Sequence, residues 1–344
     1  IITWIDTRAT AIVAGWQADG TAETIRRVSG WHPQPGLSLV TLAWLRQNQP
    51  EQFNRARHFF SANDYVIYCL SGQKITDYSC ANEMLFMDVR SGHWSEELCE
   101  LAGIVPSQLS RPDQSGTAIG PITPAVQQLT GLPADTLVVN GGHDHCAEAL
   151  ALGITEPGQL LLTCGTAWVI TGVVKRPDID SLPQAMDLNF HVVPDRWTVS
   201  QFLGGLGTAV EWWLDRGLQS VPGQPPLSRD ELYTALEHYL NQSRPGSKRL
   251  IYVSPTIVGK SEGGFVGLRL DHTRADMSRA ILEGAAFELR LALDTLRQTG
   301  QPVDHLWLLG GATRSGHWPQ ILADVTATPI STTEYAHWAA LGAG

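Results

Sequence analysis

A short apolar run that stops at two glycines occurs twice in this chain, and it constrains the fold more than any other feature. The first is Val138-Val139-Asn140-Gly141-Gly142-His143-Asp144, where a carboxylate follows the glycines at once. The second is Leu306-Trp307-Leu308-Leu309-Gly310-Gly311. Such runs read as buried strands ending in tight turns. Glycine at the turn lets a ligand approach the backbone closely. Two turns of this kind predict two sites facing one cleft.

The bulk numbers allow such a fold. The chain has 344 residues, 43% apolar and 17% charged, which favours two domains over one and supplies a large core. Its formal charge is −10. No basic stripe is present, which argues against nucleic acid or an anionic membrane as partner. The five cysteines, Cys69, Cys80, Cys99, Cys146 and Cys164, form no C-x-x-C pair and no zinc spacing with histidines. An odd count in a chain this large points to a reducing cytoplasm. No run approaches transmembrane length. The chain begins at Ile1 and stops at Ala340-Leu341-Gly342-Ala343-Gly344 inside a helical pattern, which predicts that both ends are trimmed.

Strands and helices alternate along the chain. Helices are predicted over Leu39 to Asn48, Phe53 to Leu70, Trp94 to Ala102 and Cys146 to Leu152. Thr136 to Asn140 reads as a buried strand. Pro157-Gly158 marks a turn and a domain boundary. Gln159 to Thr163 and Ala167 to Val173 read as a hairpin with Cys164-Gly165-Thr166 at its tip. Leu250 to Val253 is a strand. Thr273 caps a long helix with Asp276 at its third position. Met277, Ile281, Ala285, Leu289 and Leu293 share one face of it, and Gly300 stops it. Gly284 inside that helix costs roughly 1 kcal/mol against Ala, which suggests close packing there. Leu306 to Leu309 is a strand and Ser315 to Thr326 a helix. Trp212 and Trp213 read as core. The alternation indicates an α/β fold with sheets covered on both faces.

Three segments carry candidate chemistry. Asp144 sits where a base could orient a hydroxyl and take its proton, a contribution of about 10²–10⁴-fold. Its bland reading, nearly as strong, is a cap on the following helix. His143 and His145 flank it at no recognisable metal spacing and read as packing or supporting residues. Gly165-Thr166 offers amides and a hydroxyl that can cradle a phosphate. Gly310-Gly311-Ala312-Thr313-Arg314-Ser315 joins a strand to a helix, a nucleotide-docking arrangement. It lacks the Rossmann and Walker patterns, which leaves a dinucleotide dehydrogenase a distant reading. Gly204-Gly205-Leu206-Gly207 precedes another helix. Lys260 and Glu262 read as charges on a solvated loop.

Together these segments resemble the FGGY family of carbohydrate kinases. Gly263-Gly264-Phe265-Val266-Gly267-Leu268, Asp276-Met277 and Ala280-Ile281-Leu282-Glu283-Gly284 agree with one family signature. Gly36-Leu37-Ser38 and Trp44 to Asn48 match a second, with Thr41 in place of the usual Lys. Gly310 to Ser315, with Trp318, Gln320, Ile321, Ala323 and Asp324, is similar to the family's adenosine-binding stretch. Trp4, Asp6 and Arg8 resemble its Trp-x-Asp-x-Arg segment.

The resemblance implies two actin-like, RNase H-like domains around a central cleft, over residues 1–154 and 155–344. It implies ATP and Mg²⁺ as cofactors and a sugar or polyol as substrate, with a ketopentose such as xylulose favoured. Asp144 then matches the catalytic base. Gly165 and Thr166 match a phosphate loop in which Ala167 replaces the usual Ser. Gly310, Gly311 and Ser315 match residues around the adenosine, and Gly207 and Gly259 fall in loops on the nucleotide side. Asp6, Arg8, Tyr78 and Ser79 are the candidates near the sugar, and a homodimer is the family habit. The family's Asp-x-Gly-Thr phosphate loop precedes the point where this chain starts. The alternative is a catalytically inactive actin-like module that binds a sugar or a nucleotide.

Overall fold

A computed structural model describes residues 2–344 except 166, 176–177, 220–224, 255–261 and 334–336. Its centre is a six-stranded mixed sheet in the second half of the chain. The strand order is Ile330–Thr332, Val303–Gly310, Gly158–Cys164, Trp168–Val174, Trp197–Phe202, Asp187–Phe190. The first three strands are mutually parallel, and the remaining neighbours pair antiparallel. Val, Ile and Leu fill the central strands, as burial on both faces requires. One face packs on the Arg274–Gln298 helix through Ile281, Ala285, Leu289 and Leu293. The other face, with Leu161, Val173 and Leu309, carries Ala149 of the Asp144–Ala151 helix. The second-half sheet is thus covered on both sides, as expected.

The long helix starts where its sequence says it should. The Thr273 side chain accepts from the Asp276 amide, and Asp276 reaches back to the Thr273 amide. Glu283 of the family-like signature is buried. It accepts from Arg279 at 2.9 Å, from the Gly246 N–H at 2.8 Å and from Ser247 Oγ at 2.9 Å. Gly246, Ser247, Lys248 and Arg249 all have left-handed φ, from 44° to 82°. Three of these are not glycine and cost roughly 1–2 kcal/mol each. Glu283 holds that costly turn at the entrance to the Ile251–Val253 strand.

The first half is helical, with short two-stranded pairs. It docks on the edge strand Asp187–Phe190. The Leu188 N–H donates to Gly30 O, Asn82 Nδ2 donates to Leu188 O, and Arg26 reaches the Leu182 and Pro183 carbonyls. Gly30 has a left-handed φ of 84°, and a side chain there would press on Leu188 O.

Several expectations need correction. Phe53 to Leu70 is not one helix. It divides into Pro50–Arg55 and Ala62–Ser71, because the Phe59 N–H is captured by Gln108 O and the Phe59 ring stacks on Phe53. Trp94 belongs to a two-residue strand, and Ser95 caps the Glu96–Ala102 helix. In the Leu137–Val139 strand only Val138 is buried. Trp213 is core and donates to Ser278 Oγ, but Trp212, one position round the same helix, is 47% exposed. The helix expected from Ser315 begins at Trp318, after a 3₁₀ turn over Gly311–Arg314.

Gly284 gives a test in which two effects oppose. Alanine gains about 1 kcal/mol of helix propensity. Its Cβ, however, would lie 2.5 Å from the Tyr252 carbonyl oxygen. Overpacking of this kind costs about 1–3 kcal/mol. Gly284→Ala should therefore lower the urea midpoint, and an unchanged or raised midpoint would show that the contact relaxes freely.

Candidate functional site

Asp144 does not end a strand. The strand stops at Val139, and Asp144 is the first residue of the Asp144–Ala151 helix, with His143 at the cap position. The intervening turn is pinned at both ends. Asn140 Nδ2 donates to the carbonyls of Thr76, Asp113 and Gln114 at 3.1–3.3 Å. The His143 N–H donates to Ser79 Oγ at 2.8 Å. Between them Gly142 meets Val192 so closely that a Cβ would overlap its methyl group.

Ser79 is itself held from behind. Asp77 is fully buried and caps the Tyr78–Glu83 helix, accepting from the amides of Ser79 and Cys80 and from the hydroxyls of Ser79 and Ser115. The Ser79 hydroxyl is thus committed to Asp77 and His143. Tyr78 is half-buried, with its ring tilted on Phe190 and against Gly92. Asp77 and Asn140 were not among the expected site residues. The Thr-Asp-Tyr-Ser pattern before a short helix was the available signal for Asp77. Nothing local signals Asn140.

The Asp144 carboxylate is 70% exposed. Its Oδ1 accepts the His145 N–H at 2.7 Å. Burial pushes its pKa up, but charge on His143 and His145 and the His145 amide outweigh this and hold it below the ordinary carboxylate value. His143 is 14% exposed, with Nε2 3.3 Å from Glu83 Oε2 and Nδ1 3.4 Å from Asp144 Oδ1. Burial opposes its charge. Its partners Cys146 and Glu83, and the Glu83 charge, outweigh that and raise the imidazole well above its usual value.

One turn along the helix, Glu148 Oε2 lies 3.3 Å from both His145 Nδ1 and Thr163 Oγ1. Thr163 precedes Cys164 at the carboxyl end of its strand. Asp144 opens the same helix four residues before Glu148, about 6 Å along its axis.

The glycine turns meet at this same edge. Gly310 pairs with Cys164 at the ends of parallel strands, and Phe202 pairs with Val169 beside them. The Gly165 N–H donates to Ala167 O, and the Trp168 N–H to Gly204 O. Gly165, Gly310 and Gly311 are exposed there. Gly207 lies within the first turn of the Leu206–Trp213 helix. Open sheets of this kind bind ligands outside the carboxyl ends of their strands. Ser315 is engaged by the protein itself. Its Oγ donates to Glu237 at 2.5 Å and accepts from the His317 and Trp318 amides.

Other expected residues stand apart. Asp6 and Arg8 form a bidentate pair with each other, at 2.8–3.0 Å, and the Arg8 guanidinium lies 4.6 Å over the Trp44 ring. Among the described residues no hydrogen bond joins either of them to the Asp144 cluster. Thr166, Gly259 and Lys260 lie outside the described residues, and Glu262 is exposed. Among the described residues no group of three or more His, Cys, Asp or Glu side chains could hold a metal ion, and no helix is long and apolar enough to cross a membrane.

Comparisons with known proteins show the family and the fold. Residues 1–151 match the N-terminal domain, and residues 160–343 the C-terminal domain, of the FGGY family of carbohydrate kinases. The chain is 26% identical over 350 residues to a xylulose kinase of Staphylococcus xylosus, covering 99% of this chain and 70% of that protein. It is 25% identical to a gluconokinase of Bacillus licheniformis, covering 99% and 68%. Its fold is similar to that of the xylulose kinase from Rhodospirillum rubrum, with a TM-score of 0.88, 28% identity and coverage of 98% and 68%. The Plasmodium falciparum glycerol kinase with ADP shares the fold at a TM-score of 0.85 and 20% identity, covering 99% and 68%.

Gly310 tests the strand-end edge. Its φ of 90° and ψ of −160° suit glycine alone, and a Cβ would overlap the Cys164 carbonyl oxygen. Gly310→Ala should destabilise the protein by about 2–4 kcal/mol in urea unfolding. A loss under about 0.5 kcal/mol would mean that the two strand ends are not locked together.

Proposed function

This chain belongs to the FGGY family of carbohydrate kinases, and we propose that its ATP-dependent reaction runs through Asp144. The family fold is α/β, with two actin-like, RNase H-like domains around a cleft. The observation that carries the proposal is one of position. An exposed, ionised carboxylate opens a helix that Glu148 ties to Thr163, and the strand of Thr163 ends beside Gly310.

Phosphoryl transfer asks little covalent chemistry of the protein, mainly positioning and charge stabilisation. Asp144 Oδ2 is the outer oxygen, free to orient a sugar hydroxyl and accept its proton as that oxygen attacks the γ-phosphate. Held below the ordinary carboxylate range, Asp144 is ionised across the neutral range. Gly165 and Thr166 would meet the phosphates. A Cβ on Gly311, beside Gly310, would meet only the Cys164 carbonyl oxygen, at 3.9 Å, and this exposed turn suits the nucleotide. Gly207, Gly259 and Ser315 complete that side of the reading. Mg²⁺ would travel with the phosphate oxygens, the hard donors it prefers, and no side chain of this chain is assigned to it.

Tyr78 is the candidate sugar contact nearest Asp144 along the chain of contacts, with Ser79 holding the turn behind it. Asp6 and Arg8 are proposed for the outer part of the sugar side. The xylulose kinases among its relatives support a ketopentose as acceptor. We place the domain boundary between 154 and 155 and the reaction in the cytoplasm, which the five free cysteines support. A homodimer is the proposed assembly.

ADP release across a panel of ketoses, aldoses, aldonates and polyols tests this. One sugar should drive release, and Asp144→Asn should lower it by about 10²–10⁴-fold while leaving the fold and ATP binding intact. Near-normal turnover in that variant would remove Asp144 as the base. Nucleotide binding with no sugar-dependent release would favour a binding module instead. Gly311→Val should raise the KM for ATP about tenfold or more, some 1.4 kcal/mol of lost binding. An unchanged KM for ATP would take that turn out of the nucleotide site.

A further inference from the structure

His143 is the buried group whose bonding the reaction as described leaves unexplained. Its Nε2 is paired with Glu83, while its buried Nδ1 has no hydrogen-bond partner. Buried polar nitrogens are almost always satisfied, so an orphan calls for an explanation. The Asp144 Oδ1 carboxylate oxygen lies 3.4 Å from it. A small rotation of that exposed carboxylate would close the bond.

Several other groups face the ring, and the Cys146 thiol named above is one of its partners. From its own helix, the Cys146 thiol is directed to Phe190 O at 3.5 Å and Thr198 Oγ1 at 3.9 Å. His145 stacks at a tilt with its centroid 5.5 Å away, and its own Nδ1 faces Glu148. From the Tyr78–Glu83 helix come Glu83 and, close to Cys146, Cys80. Trp31 closes the site with its ring edge-on to the imidazole, centroids 6.5 Å apart.

We propose that His143 is a positioning residue for Asp144, an imidazolium anchored on Glu83 that presents Nδ1–H to Oδ1 and turns Oδ2 toward the acceptor hydroxyl. A base oriented by a second group, itself oriented by a third, is a recurring solution in catalytic sites. Here the cation does two things. It fixes the rotamer of a carboxylate that solvent would otherwise let swing. It also keeps that carboxylate ionised at mildly acidic pH, since an opposite charge within 4–6 Å lowers a carboxyl pKa by roughly 1–3 units. Glu83 in turn offsets the cost of burying the imidazolium.

This inference rests on Asp144 being the base, so its test has a part that needs no turnover. The protein carrying ¹³C-labelled histidine is titrated by NMR as wild type, Asp144→Asn and Glu83→Gln, with His143→Gln used to assign the signal. His143 should titrate above the ordinary imidazole value in the wild type and fall by about one unit or more in both variants. A His143 signal unmoved by Asp144→Asn overturns the proposal.

The kinetic part separates positioning from mere support. His143→Gln should lower kcat about 10- to 100-fold, with the KM for sugar and ATP changed less than about threefold. Removing the cation lets the Asp144 pKa rise, so the acid limb of kcat/KM should move to higher pH by about one unit. A limb that stays in place, or a loss confined to KM, overturns the proposal. Glu83→Gln, nearly isosteric, covers the case in which His143→Gln fails to fold, and it should bring loss of kcat down from alkaline toward neutral pH. Near-normal turnover in Asp144→Asn would remove the base reading while leaving the NMR coupling standing. An inactive Asp144→Asn beside an unaltered His143→Gln would remove the positioning role alone.

Discussion

The Asp144–Ala151 helix has to fit against three neighbours at once, and the rest of the site depends on that fit. Its buried residues are small, Cys146, Ala147 and Ala149. Ala149 packs on the second-half sheet with Leu161, Val173 and Leu309. On its outer side the Trp338–Ala343 helix comes so close that a side chain at Gly342 would overlap the Ala147 carbonyl. At its start the preceding turn is wedged between Ser79 of the first half and Val192 of the second. Larger side chains there would overpack these contacts and push the helix away from its neighbours. The position of Asp144 relative to the strand ends is therefore set by the small volumes behind it.

Charge follows the same line. Glu83, His143 and Asp144 alternate in sign from the first half to the start of the helix, and the His145–Glu148 contact leads on to Thr163 of the central sheet. An isolated buried charge costs several kcal/mol, and one removed partner leaves the next uncompensated. An alternating chain avoids this, because each group faces an opposite one. The only member of the chain that is largely exposed is Asp144. Its neighbours spend their hydrogen bonds on the protein, and it is left able to spend one on a substrate.

Much of the second half was legible in the sequence, and for physical reasons. Thr273 and Asp276 form a cap whose chemistry is wholly local. Gly310 and Gly284 announced close approaches because only those cost a strand or a helix its side chain. Asp144 was visible for the same reason, as a carboxylate beside two glycines. What could not be read arises from contacts distant along the chain. The break between Arg55 and Ala62 exists because Gln108 takes the Phe59 amide. Trp212 and Trp213 are equal as letters and differ only in which side of one helix meets Ser278. Glu83 carries no mark of its pairing with His143, nor Asn140 of the three carbonyls it gathers. Ser79 was read as a group for the sugar, yet the hydroxyl that makes it polar is used by Asp77 and the His143 amide.

One helix thus carries both registers that a phosphoryl transfer needs. Its first turn faces residues of the first half, where the acceptor is proposed to bind. Glu148, one turn on, is tied to the strand whose end leads into the proposed phosphate loop. A rigid helix rises 1.5 Å per residue, so Asp144 is held about 6 Å along the axis from Glu148 without any loop having to define that offset. Loops alone would let that distance vary by an ångström or more, enough to cost about 10²-fold in rate. In the proposed site, side chains such as Tyr78 can then vary to suit the sugar while the helix keeps Asp144 in the same place.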